Sequence, residues 1–266
     1  MCGIVAYIGN REATPILLEG LKRLEYRGYD SAGLAVVNGG IRMCRAVGRV
    51  SVLEERVDED GGFTGTLGLA HTRWATHGSV TEANAHPHHD ERNGIALVHN
   101  GIIENYAALK TYLQERGHVF KSETDTEVLT RLIGELYDGD LESAVQAALR
   151  EVTGAYAIAV ICEREPDSLV VARKGSPLIV GIGSDEYIIA SDPSAIVAHA
   201  AQALTLEDYN VVKVTREGFR SSTLDNIPLT PKVQQLELDL EQIELGSYSH
   251  YMQKEIFEQP NALRNT

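Results

Sequence analysis

The sequence predicts an α+β domain in which mainly antiparallel sheets are covered by helices. Short apolar segments recur along the chain with close turns between them, and hairpin-type connections outnumber connections made by a helix. A length of 266 residues and a hydrophobic content of 43% are typical of a globular protein with a large core.

The first half of the chain mixes strands and helices. An apolar strand is predicted over 2–8. A helix is predicted over 15–25, with Thr14 as its N-cap and Pro15 at its first position. The turn Asn38-Gly39-Gly40 indicates a hairpin between two strands. The remaining predictions are strands over 31–37, 41–47, 67–71 and 95–99 and helices over 105–116, 126–137 and 141–151.

The second half is dominated by strands until its polar end. One helix is predicted near 193–200, among strands over 155–162, 168–172, 178–183, 187–190, 210–214 and 219–222. Residues 232–246 are polar and acid-rich, which is typical of a connector, and a short helix is predicted over 249–258. We therefore expect one domain over 2–231, and a linker over 232–266 that leads into a further domain.

Composition excludes several classes of function. The chain has 24 basic and 38 acidic side chains, a net charge of −14, and no basic stripe, which argues against nucleic acid and anionic membranes as partners. No segment approaches the roughly 18 apolar residues of a membrane helix, and the start lacks the pattern of a signal peptide. Three widely spaced cysteines predict reduced thiols and a cytoplasmic protein. Of these, Cys44 and Cys162 fall in predicted strands, where packing explains them.

Cys2 is the most informative residue of the sequence. If Met1 is removed, Cys2 carries both a thiol, with an ordinary pKa of about 8.5, and a free α-amine, with an ordinary pKa of about 8. An amine beside a thiol is a recognised way to activate a nucleophile. The alternative is an inert packing cysteine, because most free cysteines are of that kind.

Two polar segments that follow predicted strands could serve such a nucleophile. Arg73, close to Trp74, could bind a carboxylate through two parallel hydrogen bonds, or could be a structural arginine stacked on Trp74. Asn100-Gly101 could supply two donors to an oxyanion, or could form a tight hairpin turn.

Two further segments have strong structural explanations. Thr124 and Glu127 form a predicted capping box, and Asp125 is favoured in the first turn of that helix, although its carboxylate could also bind an ammonium group. The run His86-Pro87-His88-His89 suggests a metal site, but no matching ligand set recurs elsewhere, so we interpret it as loop packing.

Taken together, these segments resemble the class II glutamine amidotransferases of the N-terminal-nucleophile hydrolase superfamily. Two further segments carry the resemblance to one branch of that family, Tyr26-Arg27-Gly28-Tyr29-Asp30 and residues 250–260. Both are similar to the branch that delivers ammonia to fructose 6-phosphate, and they differ from the branches that serve phosphoribosyl pyrophosphate or asparagine synthesis. The other supporting motifs occur in the family's order as Cys2-Gly3-Ile4-Val5 and residues 71–78, 99–105 and 122–127.

The resemblance implies a four-layer αββα sandwich and a reaction. The Cys2 thiolate would attack the side-chain amide of L-glutamine while its own α-amine moves the proton. Asn100 and Gly101 would stabilise the oxyanion, ammonia would leave, and water would release glutamate from the thioester. The role of Arg27 is not assigned by the sequence.

The resemblance also implies how substrate is held. The substrate carboxylate would meet Arg73, Thr76 and the His77 backbone, and the substrate ammonium would meet Asp125 and the Gly101 carbonyl. Trp74 would belong to the gate of an ammonia channel, in a loop over 73–81 that closes on glutamine. No cofactor and no metal are implied.

Partners follow from the same resemblance. Fructose 6-phosphate would be used only through sugar-isomerase domains absent from these 266 residues, and the full-length enzyme would be a homo-oligomer. Two other readings stay open: a glutaminase that serves another acceptor, and a non-catalytic glutamine-binding module if Met1 is retained.

Overall fold

A computed structural model describes residues 2–75 and 78–236, together with 248, 252–254, 256–257 and 259. The helices of this part are α1 Ala13–Leu24, α2 Val50–Glu59, α3 Tyr106–Gln114, α4 Asp125–Leu136 and α5 Leu141–Arg150. The strands are β1 Gly3–Ile8, β2 Ser31–Val37, β3 Ile41–Val47, β4 Leu67–Arg73, β5 His88–Asp90, β6 Ile95–Ile103, β7 Gly154–Cys162, β8 Ser168–Lys174, β9 Ile179–Ile182, β10 Tyr187–Ala190, β11 Gln202–Thr205, β12 Asn210–Thr215, β13 Phe219–Thr223, β14 Pro228–Leu229 and β15 Val233–Gln235.

The strands form two antiparallel sheets. One has eight strands in the order β15-β11-β9-β10-β1-β4-β2-β3, and the other has seven in the order β14-β13-β12-β8-β7-β6-β5. The hairpin of β2 and β3 has the predicted bounds and pairs Val37 with Ile41. Three residues of the predicted connector form β15, which pairs with β11 at the edge of the larger sheet.

Three apolar clusters separate four layers. One cluster packs α1 and α2 on the outer face of the eight-stranded sheet, the second fills the space between the sheets, and the third packs α3, α4 and α5 on the seven-stranded sheet. This arrangement confirms the α+β fold with an αββα order. Among the described residues, no helix combines the length and apolar character needed to span a membrane.

Strand β1 lies in the interior of the larger sheet and is buried throughout. Val5 and Tyr7 point to the cluster under the helices, whereas Ile4 points to the cluster between the sheets. Burial on both faces explains why the segment is continuously apolar rather than alternating. Cys2, immediately before this strand, is therefore held at the end of one of the most constrained segments of the fold.

Helix α1 begins earlier than predicted, so the assignment of Thr14 as its N-cap is wrong. Glu12 occupies the N-cap position, and its carboxylate accepts a hydrogen bond from the backbone N–H of Gly65 at 2.9 Å. Thr14 lies inside the helix, where its hydroxyl donates to the Phe63 carbonyl at 2.6 Å. A contact with a distant loop has replaced the local cap.

The helix predicted near 193–200 is also wrong in length. Its start signals produce only a 3-10 turn over Pro193–Ala195, in which the Asp192 side chain accepts from the backbone N–H of Ser194 at 2.9 Å. Of the helix predicted over 249–258, residues 252–254 and 256–257 are helical. The rest of that segment lies outside the described residues.

Candidate active site

Cys2 lies in a half-buried position beside the end of β4. Its sulfur accepts a hydrogen bond from the backbone N–H of Trp74 at 3.2 Å, and its thiol lies 3.5 Å from the carbonyl oxygen of the same residue. Burial raises the pKa of the thiol above its ordinary value, and the hydrogen bond from Trp74 opposes that shift. A base close to the sulfur is therefore needed to form the thiolate at neutral pH.

Arg73 ends β4 with its side chain almost completely buried. Its guanidinium donates to the Ser79 carbonyl at 3.2 Å. Burial lowers its pKa, and nearby acidic groups, including Asp30 and Asp125, oppose the shift. The adjacent Trp74 is 45% exposed and meets the ring of Tyr29 edge-on, with 5.9 Å between centroids.

The segment 26–30 supports the backbone at this point. Gly28 lies so close to the end of β4 that a Cβ would be 2.9 Å from the Arg73 carbonyl carbon. Asp30 accepts a hydrogen bond from the backbone N–H of Ala75 at 2.8 Å. Glycine and aspartate at these positions thus fix the path of the chain as it passes Cys2.

Arg27 has a structural partner on the other side of the nucleophile. Its guanidinium donates to the carbonyl of Ser191 at 3.2 Å and forms an ion pair with Asp192 at 3.0 Å. The hydroxyl of Ser191 in turn accepts from the backbone N–H of Ile4 at 3.0 Å. Arg27 therefore binds the turn after β10, and Ser191 in that turn binds the start of β1.

Asn100 and Gly101 lie within β6, so the alternative of a tight turn at this pair is wrong. The strand continues to Ile103, and Gly101 pairs with Tyr156 of β7. The side-chain amide nitrogen of Asn100 donates to the backbone carbonyl of Cys2 at 3.2 Å. Both residues are thereby placed beside the nucleophile by sheet pairing rather than by a loop.

Asp125 starts α4 and is buried. One carboxylate oxygen accepts from the backbone N–H of Ile103 at 2.8 Å. The predicted cap is present, since Thr124 accepts from the backbone N–H of Glu127 at 3.2 Å. The Glu127 carboxylate, however, binds the backbone N–H groups of Lys121 and Ser122 rather than that of Thr124.

Cys2, Arg73, Gly101 and Asp125 share one cavity. It is lined by Cys2, Arg73, Trp74, His86, His99, Gly101, Thr124, Asp125 and Thr126. Cys2 also borders a second, more apolar cavity, lined by Cys2, Arg27, Trp74, Asn100, Gly101, Ile102, Ser176 and Pro177. The predicted site residues Thr76 and His77 lie outside the described residues.

A larger polar pocket elsewhere offers no comparable chemistry. It lies beside Arg11, Glu186 and His199. The Arg11 guanidinium and the Glu186 carboxylate form an ion pair at 2.6 Å, and Tyr7 donates to the same carboxylate at 3.0 Å. The charged groups of Arg11 and Glu186 are thus paired with each other, and no thiol lines the pocket.

Four buried histidines, of which His86 and His99 line the cavity, were not predicted as site residues. His71 and His86 stack with 4.2 Å between ring centroids, and His88 lies 2.8 Å from the Thr124 hydroxyl. His99 lies 3.0 Å from the Thr126 hydroxyl. The run His86-Pro87-His88-His89 was the available signal for two of them, but it was interpreted as loop packing, with a metal site as the alternative. In the described part of the chain no three His, Cys, Asp or Glu side chains are grouped to hold a metal.

The loop after Arg73 is also fixed at its far end, which no sequence motif indicated. The Glu123 carboxylate accepts from the backbone N–H of Ser79 at 3.0 Å and from the Asn84 amide at 2.9 Å. Asn84 donates in addition to the Ser79 carbonyl at 3.0 Å. These contacts hold residues beyond the undescribed pair 76–77 against the start of α4.

Comparisons with known proteins identify the family of this chain. The chain matches the model of the glutamine amidotransferase domain over residues 45–249. It is 52% identical to the glutamine–fructose-6-phosphate aminotransferase (isomerizing) of Chlorobaculum tepidum and 51% identical to that of Bacteroides thetaiotaomicron, with all of this chain and 44% of each relative covered. The chain thus spans less than half the length of these curated relatives.

Solved structures show the same fold. The glutamine phosphoribosylpyrophosphate amidotransferase from B. subtilis, complexed with ADP and GMP, superposes with a TM-score of 0.74 at 27% identity, over 84% of this chain and 49% of that one. A class-II glutamine aminotransferase domain protein from Silicibacter pomeroyi superposes with a TM-score of 0.59 at 18% identity, over 84% of this chain and 99% of that one, a likeness of fold alone. The match to the domain model and the extent of identity with the curated relatives show that this chain belongs to the glutamine amidotransferase domain family.

Proposed function

We propose that this domain hydrolyses the side-chain amide of L-glutamine to glutamate and ammonia through a thioester on Cys2. The observation that carries the proposal is the shared cavity, in which a thiol, a buried guanidinium and a buried carboxylate meet. The guanidinium and the carboxylate match the two charged α-groups of an amino acid, and the thiol is available for its side chain.

The nucleophile is activated by its own amino group. Once Met1 is removed, the α-amine of Cys2 accepts the thiol proton, and the thiolate attacks the amide carbon to form a tetrahedral oxyanion. The protonated amine returns the proton to the leaving nitrogen, the C–N bond breaks, and ammonia departs. Water then attacks the thioester carbonyl and the C–S bond breaks. The oxygen of water stays on glutamate, which is released, and a proton of water returns to the sulfur to regenerate the thiol.

Asn100 and Gly101 stabilise the oxyanion in this scheme. The Asn100 amide nitrogen already faces Cys2, and the Gly101 N–H supplies the second donor. Each donor of this kind is worth about 10²–10³ in rate, because it acts on charge that appears in the transition state.

The ends of the substrate are held by opposite charges. Arg73 binds the α-carboxylate with Thr76 and the His77 backbone, and Asp125 binds the α-ammonium with the Gly101 carbonyl. An amide lacking these groups would leave a buried arginine and a buried carboxylate without their partners, so the site selects glutamine over simple amides. Trp74, at the rim of both cavities, separates the glutamine side from the exit for ammonia.

The ammonia is used, we propose, by a longer protein. The curated relatives are named for fructose 6-phosphate, and the present chain covers 44% of them. Residues 232–266 would lead into sugar-isomerase domains that convert fructose 6-phosphate to glucosamine 6-phosphate in a cytoplasmic homo-oligomer. These 266 residues alone would release ammonia without aminating the sugar.

Two other functions have weaker support. A phosphoribosyl pyrophosphate acceptor is suggested by one solved structure, but identity to that protein is 27% against 52% for the fructose-6-phosphate relative. A non-catalytic glutamine-binding module requires that Met1 stays in place, because the α-nitrogen of Cys2 is then an amide and not a base.

Intact mass spectrometry tests the proposal. The purified chain is weighed before and after treatment with the glutamine analogue 6-diazo-5-oxo-L-norleucine. Loss of Met1 and a single adduct on Cys2 are expected. A processed chain that stays unlabelled, or that carries the label on Cys44 or Cys162, contradicts the mechanism and supports the binding module.

A further inference from the structure

His71 contacts the Asn100 side chain from beneath the site, across the gap between the two sheets. It lies on β4 and is fully buried, and its Nε2 is 2.9 Å from the Asn100 Oδ1. The same nitrogen is 3.1 Å from the backbone carbonyl oxygen of His99.

The carbonyl of His99 decides which nitrogen of His71 carries the proton. A backbone carbonyl oxygen only accepts hydrogen bonds, and it cannot exchange its position with a donor as a side-chain amide can. At 3.1 Å from this oxygen, Nε2 must be the protonated nitrogen. The other ring nitrogen, Nδ1, is buried and has no hydrogen-bond partner among the described residues, so no contact there opposes this assignment.

The tautomer of His71 in turn decides the orientation of the Asn100 amide. A protonated Nε2 requires an acceptor opposite it, so Asn100 must present Oδ1 to His71 and its NH₂ group to Cys2. The flipped amide would place two donors against each other and would direct its oxygen at the developing oxyanion. Burial lowers the pKa of His71 to about 3, so the imidazole stays neutral at physiological pH.

We propose that His71 is a positioning residue for hydrolysis, which orients the Asn100 carboxamide so that its NH₂ group faces the oxyanion. The inference rests on the proposed function, because it assumes that Asn100 stabilises that oxyanion. His71 itself contacts neither substrate nor nucleophile in this scheme, and its whole effect passes through one amide group.

Matched substitutions separate this role from packing. In His71→Gln, the side-chain amide can place an N–H near the position of Nε2, whereas His71→Leu removes the donor. His118→Leu serves as the control for loss of a buried imidazole, since that side chain pairs with Glu135 at 2.8 Å away from the cavity. All variants are made in the processed chain and checked for folding by urea unfolding.

The expected kinetics are specific. His71→Leu lowers the kcat for glutamine hydrolysis by roughly 10–100-fold and changes KM by less than about twofold. An Asn100 amide that points the wrong way loses most of the rate that would be lost if its donor were removed. His71→Gln retains kcat within about fivefold, and His118→Leu leaves it unchanged. With Asn100→Ala already present, His71→Leu has no further effect on kcat.

An equilibrium probe covers variants that turn over too slowly. The Cys2 thiol adds across the C=O bond of a γ-aldehyde analogue of glutamine: a C–S bond forms, the C=O π bond breaks, and the oxygen, which takes the thiol proton, occupies the oxyanion position. His71→Leu is expected to weaken binding of this aldehyde at least tenfold while leaving the affinity for glutamate unchanged.

The outcomes that overturn the proposal are distinct. If His71→Leu and Asn100→Ala reduce kcat by independent factors that multiply, or if glutamate and the aldehyde lose affinity equally, His71 has no positioning role and the proposed function stands. If Asn100→Ala leaves kcat unchanged, the oxyanion role assigned to Asn100 is wrong, and the role of His71 falls with it.

Discussion

Two features of the backbone exclude a side chain at position 101. The φ angle of Gly101 is 137°, a conformation that L-residues rarely adopt, and a Cβ there would lie 2.1 Å from the carbonyl oxygen of Ala155. Because β6 and β7 are paired at this point, the backbone of β7 cannot move away without breaking the sheet. A residue proposed to donate to the oxyanion is thus also fixed by the fold.

We predict that Gly101→Ala costs at least about 2 kcal/mol more of the free energy of unfolding than Gly139→Ala. Gly139 has a similar φ of 115°, but a Cβ added there would have no neighbouring atom within 4 Å, so its substitution carries backbone strain of about 1 kcal/mol alone. Gly101→Ala adds a steric clash with backbone. Urea unfolding of both variants measures the difference, and equal costs would show that β7 yields easily.

At the scale of elements, the loop between β4 and β5 is held at both ends by carboxylates. Asp30 binds the N–H of Ala75, and Glu123 binds the N–H of Ser79 and the amide of Asn84. The loop, which lines the cavity beside Cys2 with Trp74 and His86, is therefore held from fixed points on neighbouring elements. Glu123 precedes α4, so the same short segment that carries Asp125 also positions the loop.

We predict that Glu123→Ala raises the KM for glutamine several-fold and changes kcat less. The substitution frees the N–H of Ser79 and loosens the loop, but leaves Cys2 and its oxyanion donors in place. Steady-state glutaminase kinetics provide the measurement, with Glu115→Ala, an exposed glutamate at the end of α3, as the control. A fall in kcat at constant KM would instead place Glu123 in the chemical step.

The elements show which sequence signals are sufficient. The hairpin at 38–40 and strand β10 have the predicted bounds, because turn residues and the ends of apolar runs mark where these strands begin and end. Helix α2 was missed although Val50, Leu53 and Val57 have helical spacing and are buried. The prediction of Thr14 as a cap was wrong because Phe63, far away in sequence, supplies a competing acceptor.

At the scale of the whole molecule, burial of several imidazoles links stability to pH. Burial lowers the pKa of His71 to about 3 and lowers those of His86, His88 and His99 as well. In the unfolded chain each of these groups has a pKa of about 6.5. Below that pH the unfolded state holds more protons than the folded state, so the free energy of unfolding falls as the pH falls.

We predict a steep loss of stability between about pH 6 and pH 4. Each histidine that stays neutral in the fold contributes a slope of about 1.4 kcal/mol per pH unit in this range. Urea unfolding at several pH values measures the slope, and His71→Gln, which cannot titrate, should reduce it by the amount of one proton. An unchanged slope in that variant would mean that His71 is protonated in the folded protein.

The site itself could be predicted only in part from the sequence. The positions of Cys2, Arg73 and Asn100 relative to strand ends were visible, because each lies next to an apolar run. The contact between His71 and Asn100 was not, since it depends on how two sheets pack face to face. Nor could the sequence show that the pair Asn100-Gly101 continues a strand, because its composition favours a turn equally well.

The order of strands around β1 also has a consequence for biosynthesis. Val5 pairs with Ala70 on one side and with Ala190 on the other, so the first strand cannot be enclosed until most of the domain has been synthesised. At roughly 5–20 residues per second, ribosomes need on the order of 10–40 s to reach that second partner. During this interval β1 and the residue before it are open to solvent, so any processing that exposes the α-amine of Cys2 can precede the folding step that half-buries this residue.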